Sequence, residues 1–201
     1  MKFTNHYKMG QLIFNSMIKN GIPLEKKLFI FGNLAPDILI TYVFNPHTHS
    51  NPKCHSRLNK LLKLLYKTSV SNRLKFSYYS GVAAHYICDF VCYAHTPVFE
   101  GGVREHLSYE KNQAVTDKEM LPFFKQDSMF YSLSELIRTL DERISKRVQL
   151  LSNNAEMSFS DIPIAINIAS WATSAAYHHI EKSSQCRRHI SFYSHGHRKT
   201  A

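Results

Sequence analysis

The chain has 201 residues, of which 44% are hydrophobic and 20% are charged. That composition excludes a disordered chain, and the length is sufficient for one domain with a hydrophobic core. The formal net charge of +10 favours anionic partners, whether phosphate groups, nucleic acid or an acidic lipid headgroup. Histidine is the unusual component, because several of the 12 histidines fall inside apolar helical stretches and imidazole is a common metal ligand.

The N-terminus and the cysteines bear on the compartment. The first residues alternate polar and apolar types at helical spacing, without the apolar stretch and cleavage site of a signal peptide. No apolar run reaches the ~20 residues that a membrane-spanning helix needs. No Cys-x-x-Cys pair occurs among Cys54, Cys88, Cys92 and Cys186, which favours buried thiols in a reducing compartment. We therefore expect a cytoplasmic protein, with peripheral membrane association as an open alternative.

Helical periodicity dominates the N-terminal part of the chain. An amphipathic helix is expected to end at Gly21, and a second helix is predicted over residues 24–32. Pro36 is expected to begin a third, short segment over residues 36–42. Two prolines and several small polar residues indicate a loop over residues 45–52.

The middle of the chain contains the helix that we expect to be central. A helix resumes near Arg57, with leucines on its inner face and lysines on its outer face. The next helix is predicted over residues 73–95 and is apolar nearly all round, which is typical of a buried helix. After a turn at Gly101 and Gly102, residues 103–116 again have helical periodicity.

The C-terminal part is also predicted to be helical. Ser132 and Glu135 form a capping box that opens a charged helix. Asp161 with Pro163 opens the last helix, over residues 164–181.

No β alternation, internal repeat or long linker divides the chain. The sequence therefore predicts an all-α fold, with one domain over residues 1–184 and a basic, flexible tail over residues 185–201. Such a tail is either a solvated terminus or a segment that docks on an anionic membrane or nucleic acid.

The central helix carries the first pair of candidate metal ligands. His85 and Asp89 are four residues apart, so their side chains share one face of the helix. Their neighbours are apolar, and a buried carboxylate needs a compensating charge. This helix offers no lysine or arginine after Lys75, so a bound cation is the better candidate.

A second pair follows on the next helix. His106 and Glu110 repeat the four-residue spacing, and His95 lies between the two pairs. Either pair alone is also typical of an ordinary hydrogen-bonded helix pair. Together with His95 they form a dense set of nitrogen and oxygen ligands without paired cysteines, which favours a catalytic zinc site over a structural one.

These motifs resemble those of the zinc-dependent phospholipase C family. The matching pattern is His85-x-x-x-Asp89, then His95, then His106-x-x-x-Glu110. Further motifs of the family are similar to the segment from Gly32 to Asp37 and to the early His6, and the resemblance covers about the first 115 residues. It implies a compact multi-helix bundle of the phospholipase C and P1 nuclease type.

The resemblance also implies a set of ligands for two or three zinc ions. The first ion would be held by Asp37, a loop histidine, His85 and Asp89. The second would be held by His95, His106 and Glu110, and the third by His6 with Asp89 as a bridge.

The loop histidine and the third ion are the open parts of that set. Of His47, His49 and His55, the family spacing favours His49, with His55 second. The secreted enzymes complete the third site with the amino group of an N-terminal tryptophan, whereas the only tryptophan here is Trp171.

The activity implied by the resemblance is cleavage of a phospholipid to diacylglycerol and a phosphorylated headgroup by metal-activated water. Asp37 would act as the catalytic base, although a role as ligand alone is an equal alternative. Two other functions remain open. One is a single-strand nuclease, but no interleaved aromatic and basic motif favours nucleic acid. The other is a non-catalytic scaffold that keeps zinc for stability.

Overall fold

The computed structural model describes residues 3–39, 52–68, 72–113, 131–153 and 161–196. Within these ranges the chain forms α-helices and one short 3-10 helix, and no strand, so the predicted all-α fold is confirmed. The elements are α1 (Phe3–Lys19), α2 (Lys26–Ile38), α3 (Pro52–Lys67), α4 (Arg73–Val91), the 3-10 helix (Tyr93–His95), α5 (Val103–Asn112), α6 (Leu133–Asn153) and α7 (Asp161–Gly196).

Helix α4 is the centre of the bundle, as its apolar sequence predicts. Every residue from Ser80 to Val91 is buried, because α2, α3 and α7 pack around it. The surrounding helices contribute the rest of one continuous core, which includes Met9, Leu62 and Leu140. Burial on all sides places the polar side chains of this stretch, including His85 and Asp89, in the interior of the protein.

Two glycines let α2 and α4 cross in backbone contact. A Cβ atom at Gly81 would lie 2.1 Å from the carbonyl oxygen of Phe29 and 2.8 Å from the amide nitrogen of Asn33. A Cβ atom at Gly32 would lie 2.3 Å from the carbonyl oxygen of Tyr78. Any side chain at either position would push the two helices apart.

The predicted break at Pro36 is wrong. Helix α2 runs without interruption to Ile38, with Pro36 inside its last turn. Proline removes one hydrogen-bond donor there, but the turn stays closed because Leu39 N–H donates to the carbonyl of Ala35 at 2.9 Å. The rest of the predicted segment, from residue 40 on, lies outside the described residues.

The predicted helix over residues 73–95 is too long. Helix α4 ends at Val91, and a 3-10 helix follows after the extended residue Cys92. The physical reason is a distant partner: Tyr93 N–H donates to Asp161 Oδ2 at 2.8 Å instead of continuing the helical hydrogen bonds. The break turns the chain before His95.

The C-terminal helices agree with the capping signals. Ser132 N–H donates to Glu135 Oε2 at 2.7 Å, and Glu135 N–H donates back to Ser132 Oγ at 3.3 Å, which is the predicted capping box. Helix α7 continues to Gly196, beyond the predicted end near residue 181, because no glycine or proline interrupts residues 164–195. Among the described helices, none is long and apolar enough to cross a membrane.

The Gly81→Ala substitution tests the close crossing of α2 and α4. The added methyl group would meet backbone atoms that cannot rotate away, so we expect a loss of about 1–3 kcal/mol in the free energy of unfolding. Denaturant unfolding of the purified protein measures it. Gly102→Ala is the matched control, since its Cβ atom would meet only the flexible carboxylate of Glu105, at 3.1 Å. Equal stability of the two variants would contradict the proposed backbone contact.

Candidate metal centre

The first group of ligand atoms joins α1 to α4. His6 Nε2 lies 3.1 Å from Asp89 Oδ1, and His85 Nε2 lies 3.2 Å from Asp89 Oδ2. The two imidazole rings stack with their centroids 3.9 Å apart. All three side chains are buried, and each carboxylate oxygen faces a different histidine. This arrangement suits a carboxylate that bridges two ions.

Asp37 lies at the solvent-facing side of this group. Its Oδ1 is 3.7 Å from His85 Nε2, and its side chain is 24% exposed, whereas those of His6 and Asp89 are at most 1% exposed. Helix α2 delivers Asp37 from its last turn, one residue after Pro36. Of these four residues, Asp37 is therefore the one that solvent or a substrate reaches first.

Asn33 orients the ring of His85 and holds the backbone at His6. His85 Nδ1 lies 2.9 Å from the backbone carbonyl of Asn33, which accepts its proton and directs Nε2 toward the carboxylates. The side-chain amide of Asn33 donates to the carbonyl of His6 at 2.6 Å. This role of Asn33 could not be predicted from the sequence, because neither its type nor its spacing distinguishes it from an ordinary helix residue. The close crossing at Gly32 is what brings it there.

The second group lies between the 3-10 helix and α5. Glu110 Oε1 is 3.1 Å from His95 Nε2 and 2.9 Å from His106 Nε2. His106 and Glu110 come from successive turns of α5, as their four-residue spacing predicts. Glu110 and His95 are buried, while the side chain of His106 is 28% exposed.

Asp89 also connects the two groups. His95 Nε2 lies 3.9 Å from Asp89 Oδ1, the oxygen that faces His6. The sequence places these residues on three separate elements, and the fold gathers them around one carboxylate. The candidate centre is thus continuous from Asp37 at one side to His106 at the other.

The electrostatics of the centre keep the carboxylates ionised and His6 neutral. Burial opposes the charge of Asp89, but its interactions with the surrounding histidines, His95 first among them, hold its pKa well below the usual range. Burial likewise opposes the charge of Glu110, and the hydrogen bond from His95 lowers its pKa. Burial, together with the neighbouring His85, lowers the pKa of His6 to about 3. Ionised carboxylates and neutral imidazoles are the forms that bind metal ions.

The residues present fit zinc. In each group one ligand atom per residue lies within 4.8 Å of the others, which is a spacing that one ion can span. His6 Nδ1 and Asp37 Oδ2 are buried without a hydrogen-bond partner. Imidazole with carboxylate is a donor set typical of catalytic zinc, and buried atoms without partners are typical of a site that a ligand completes.

The structure describes only one of the three candidate loop histidines. His47 and His49 lie outside the described residues. His55 lies on α3, where its Nδ1 is 3.9 Å from Asp141 Oδ1 and its ring stacks on Phe90 with centroids 4.8 Å apart. Among the described residues His55 belongs to neither ligand group. Its role as a ligand stays a prediction.

A comparison with known families identifies the chain's similarity to one of them. Residues 5–160 match the family model described as zinc dependent phospholipase C. The match includes every residue of both ligand groups, together with Asp37. No curated protein and no solved structure matches the chain.

The Asp89→Asn substitution tests the metal centre. It keeps the shape of the side chain but removes the charge shared by both groups. We expect zinc affinity to fall more than about 100-fold, because loss of a ligand exceeds the ~10–100-fold effect of losing an outer partner. Zinc per chain, measured by elemental analysis after zinc-replete purification without chelator, shows the loss.

Glu142→Gln is the control for this prediction. It neutralises an exposed carboxylate whose side chain is 58% accessible and pairs with Arg138 on α6. It should retain the zinc content of the unmodified protein. Unchanged zinc in Asp89→Asn would show that the carboxylate and its histidines form ordinary hydrogen bonds instead of a metal site.

Proposed function

The chain belongs to the zinc-dependent phospholipase C family, and we propose on that basis that it hydrolyses a phospholipid to diacylglycerol and a phosphorylated headgroup. One observation supports the proposal above others: two groups of histidine and carboxylate ligands meet around the shared carboxylate of Asp89. A phosphodiester needs charge stabilisation on several oxygens at once, and adjacent metal sites supply it.

The residues fall into sets that would hold two or three zinc ions. His85, Asp89 and Asp37 would hold the first ion, with His49 as the preferred loop ligand and His55 as the second choice. The second ion would take the side chains of the second group, which are His95, His106 and Glu110. His6 and Asp89 would hold a third, since Asp89 Oδ1 faces His6 whereas Oδ2 faces His85.

When bound, zinc supplies Lewis acidity, which stabilises charge on phosphodiester oxygens and lowers the pKa of water toward ~7. The chain's own contribution to proton transfer falls to Asp37. Burial, opposed by His85, raises the pKa of the Asp37 carboxyl, which makes it a stronger base. Its buried Oδ2 has no hydrogen-bond partner, so that atom is the one to accept a proton from the attacking water.

The substrate class follows from charge and from the family. A net charge of +10 attracts a phosphorylated headgroup and the anionic lipid surface around it. The same charge would suit a nucleic acid, but none of the observations on the site favours bases over headgroups. A phospholipid is therefore the substrate that we propose, with a single-strand nuclease as the second candidate.

The Asp37→Asn substitution tests the proposed activity. The amide cannot accept the proton, so we expect release of phosphorylated headgroup from mixed phospholipid vesicles to fall by about 100-fold or more, within the range typical for loss of a general base. The measurement is headgroup release with zinc present and after chelation. Glu142→Gln, on the exposed face of α6, should keep the activity of the unmodified protein.

Other outcomes separate the alternatives. Zinc-dependent degradation of single-stranded nucleic acid without headgroup release would replace the phospholipase by the nuclease. A protein that binds zinc and cleaves neither substrate, yet loses thermal stability in chelator, would be the non-catalytic scaffold. Full activity in Asp37→Asn would assign that residue to ligand binding alone.

A further inference from the structure

A buried carboxylate outside both ligand groups holds the elements that carry the second group. Asp161, the first residue of α7, is fully buried. Its Oδ2 accepts hydrogen bonds from the backbone N–H of Tyr93, at 2.8 Å, and from the hydroxyl of Tyr109. Tyr93 begins the 3-10 helix that carries His95. Tyr109 directly precedes Glu110 in α5.

The same carboxylate also reaches α6 and the end of α5. Buried Arg147 of α6 donates from Nη2 to Asp161 Oδ1. Gln113 Nε2, just after α5, lies 3.3 Å from Asp161 Oδ2. The backbone carbonyl of Gln113 accepts a hydrogen bond of 2.5 Å from the side chain of Asn5, which precedes His6 in α1. The C-terminal end of α5 is therefore fixed from two sides.

We propose that Asp161 is a positioning residue for the second ligand group. Its carboxylate fixes the 3-10 helix and α5 at the separation where His95, His106 and Glu110 converge on one zinc ion. The inference rests on the proposed function for the zinc and deepens it by naming what holds the site. Outer partners of this kind typically change metal affinity by ~10–100-fold.

A purely structural role is the competing explanation, because the buried pair of Arg147 and Asp161 joins α6 to α7. Replacing Asp161 would leave a buried guanidinium without its counter-charge, which unfolds many proteins. Tyr109→Phe gives a cleaner test. It removes the hydroxyl link to α5, together with the hydrogen bond that this hydroxyl accepts from Gln113 Nε2 at 2.7 Å, and leaves both the ion pair and the Tyr93 hydrogen bond in place.

The experiment measures zinc affinity by chelator competition on full-length protein. Tyr109→Phe is compared with the double variant that adds Gln113→Leu and so removes both links from α5. We expect one class of zinc site, that of the second ligand group, to bind zinc about 10-fold more weakly in the single variant. In the double variant it should bind zinc more weakly still. The visible absorption spectrum of the Co²⁺-substituted protein should change with it, since that spectrum reports ligand geometry.

Tyr66→Phe is the matched control. Its hydroxyl donates to the backbone carbonyl of Tyr131 at 3.0 Å, away from both ligand groups. It loses a tyrosine hydrogen bond of the same kind, and it should keep the zinc affinity and cobalt spectrum of the unmodified protein while losing some thermal stability.

The outcomes distinguish this proposal from the proposed function. If the double variant keeps the zinc affinity and the cobalt spectrum of the unmodified protein, the positioning role is overturned, whatever the activity. Equal weakening of zinc binding by Tyr66→Phe would assign the effect to stability and would also overturn it. If the unmodified protein binds no zinc, both proposals fail. If zinc binds and Tyr109→Phe weakens it while phospholipid is not hydrolysed, only the proposed function fails.

Discussion

The interaction on which the site depends is the burial of the Asp89 carboxylate among histidines. An ionised carboxylate that is 1% exposed costs several kcal/mol unless its charge is compensated. The fold brings His6, His85 and His95 toward its two oxygens from three elements, which surrounds the carboxylate with potential hydrogen-bond donors and metal ligands. That arrangement depends on the positions of α1 and the 3-10 helix, which carry His6 and His95. It depends also on α2, whose Asn33 carbonyl contacts His85.

Two features of the bundle meet those conditions. The crossing of α2 and α4 without side chains at Gly32 and Gly81 lets the backbone of Asn33 reach His85. A side chain at either glycine would push the helices apart and move that carbonyl away from His85. On the other side, the break after Val91 turns the chain so that His95 faces α5. Packing and ligand geometry are therefore set by the same contacts.

The parts of the site that the sequence predicts are those that depend on local geometry. His106 and Glu110 share a helix face because four residues make about one turn, whatever surrounds them. The meeting of His95 with Glu110 depends instead on Asp161, which is 68 residues from Tyr93 along the chain. Pro36 led to a wrong prediction, because one missing hydrogen-bond donor in the last turn of a helix matters less than the packing of α2. Asn33 gave no signal, because its role rests on a backbone carbonyl.

The neutral ring of His6 is an argument for a metal ion over a simple ion pair between His6 and Asp89. If His6 were an imidazolium, it would neutralise Asp89, and the buried pair would need nothing more. Burial, however, lowers the pKa of His6 to about 3, so its ring is neutral near pH 7. A neutral imidazole hydrogen-bonds to a carboxylate without cancelling its charge. A divalent cation cancels it and uses the ring nitrogens as ligands, which accounts for both the burial and the residue types.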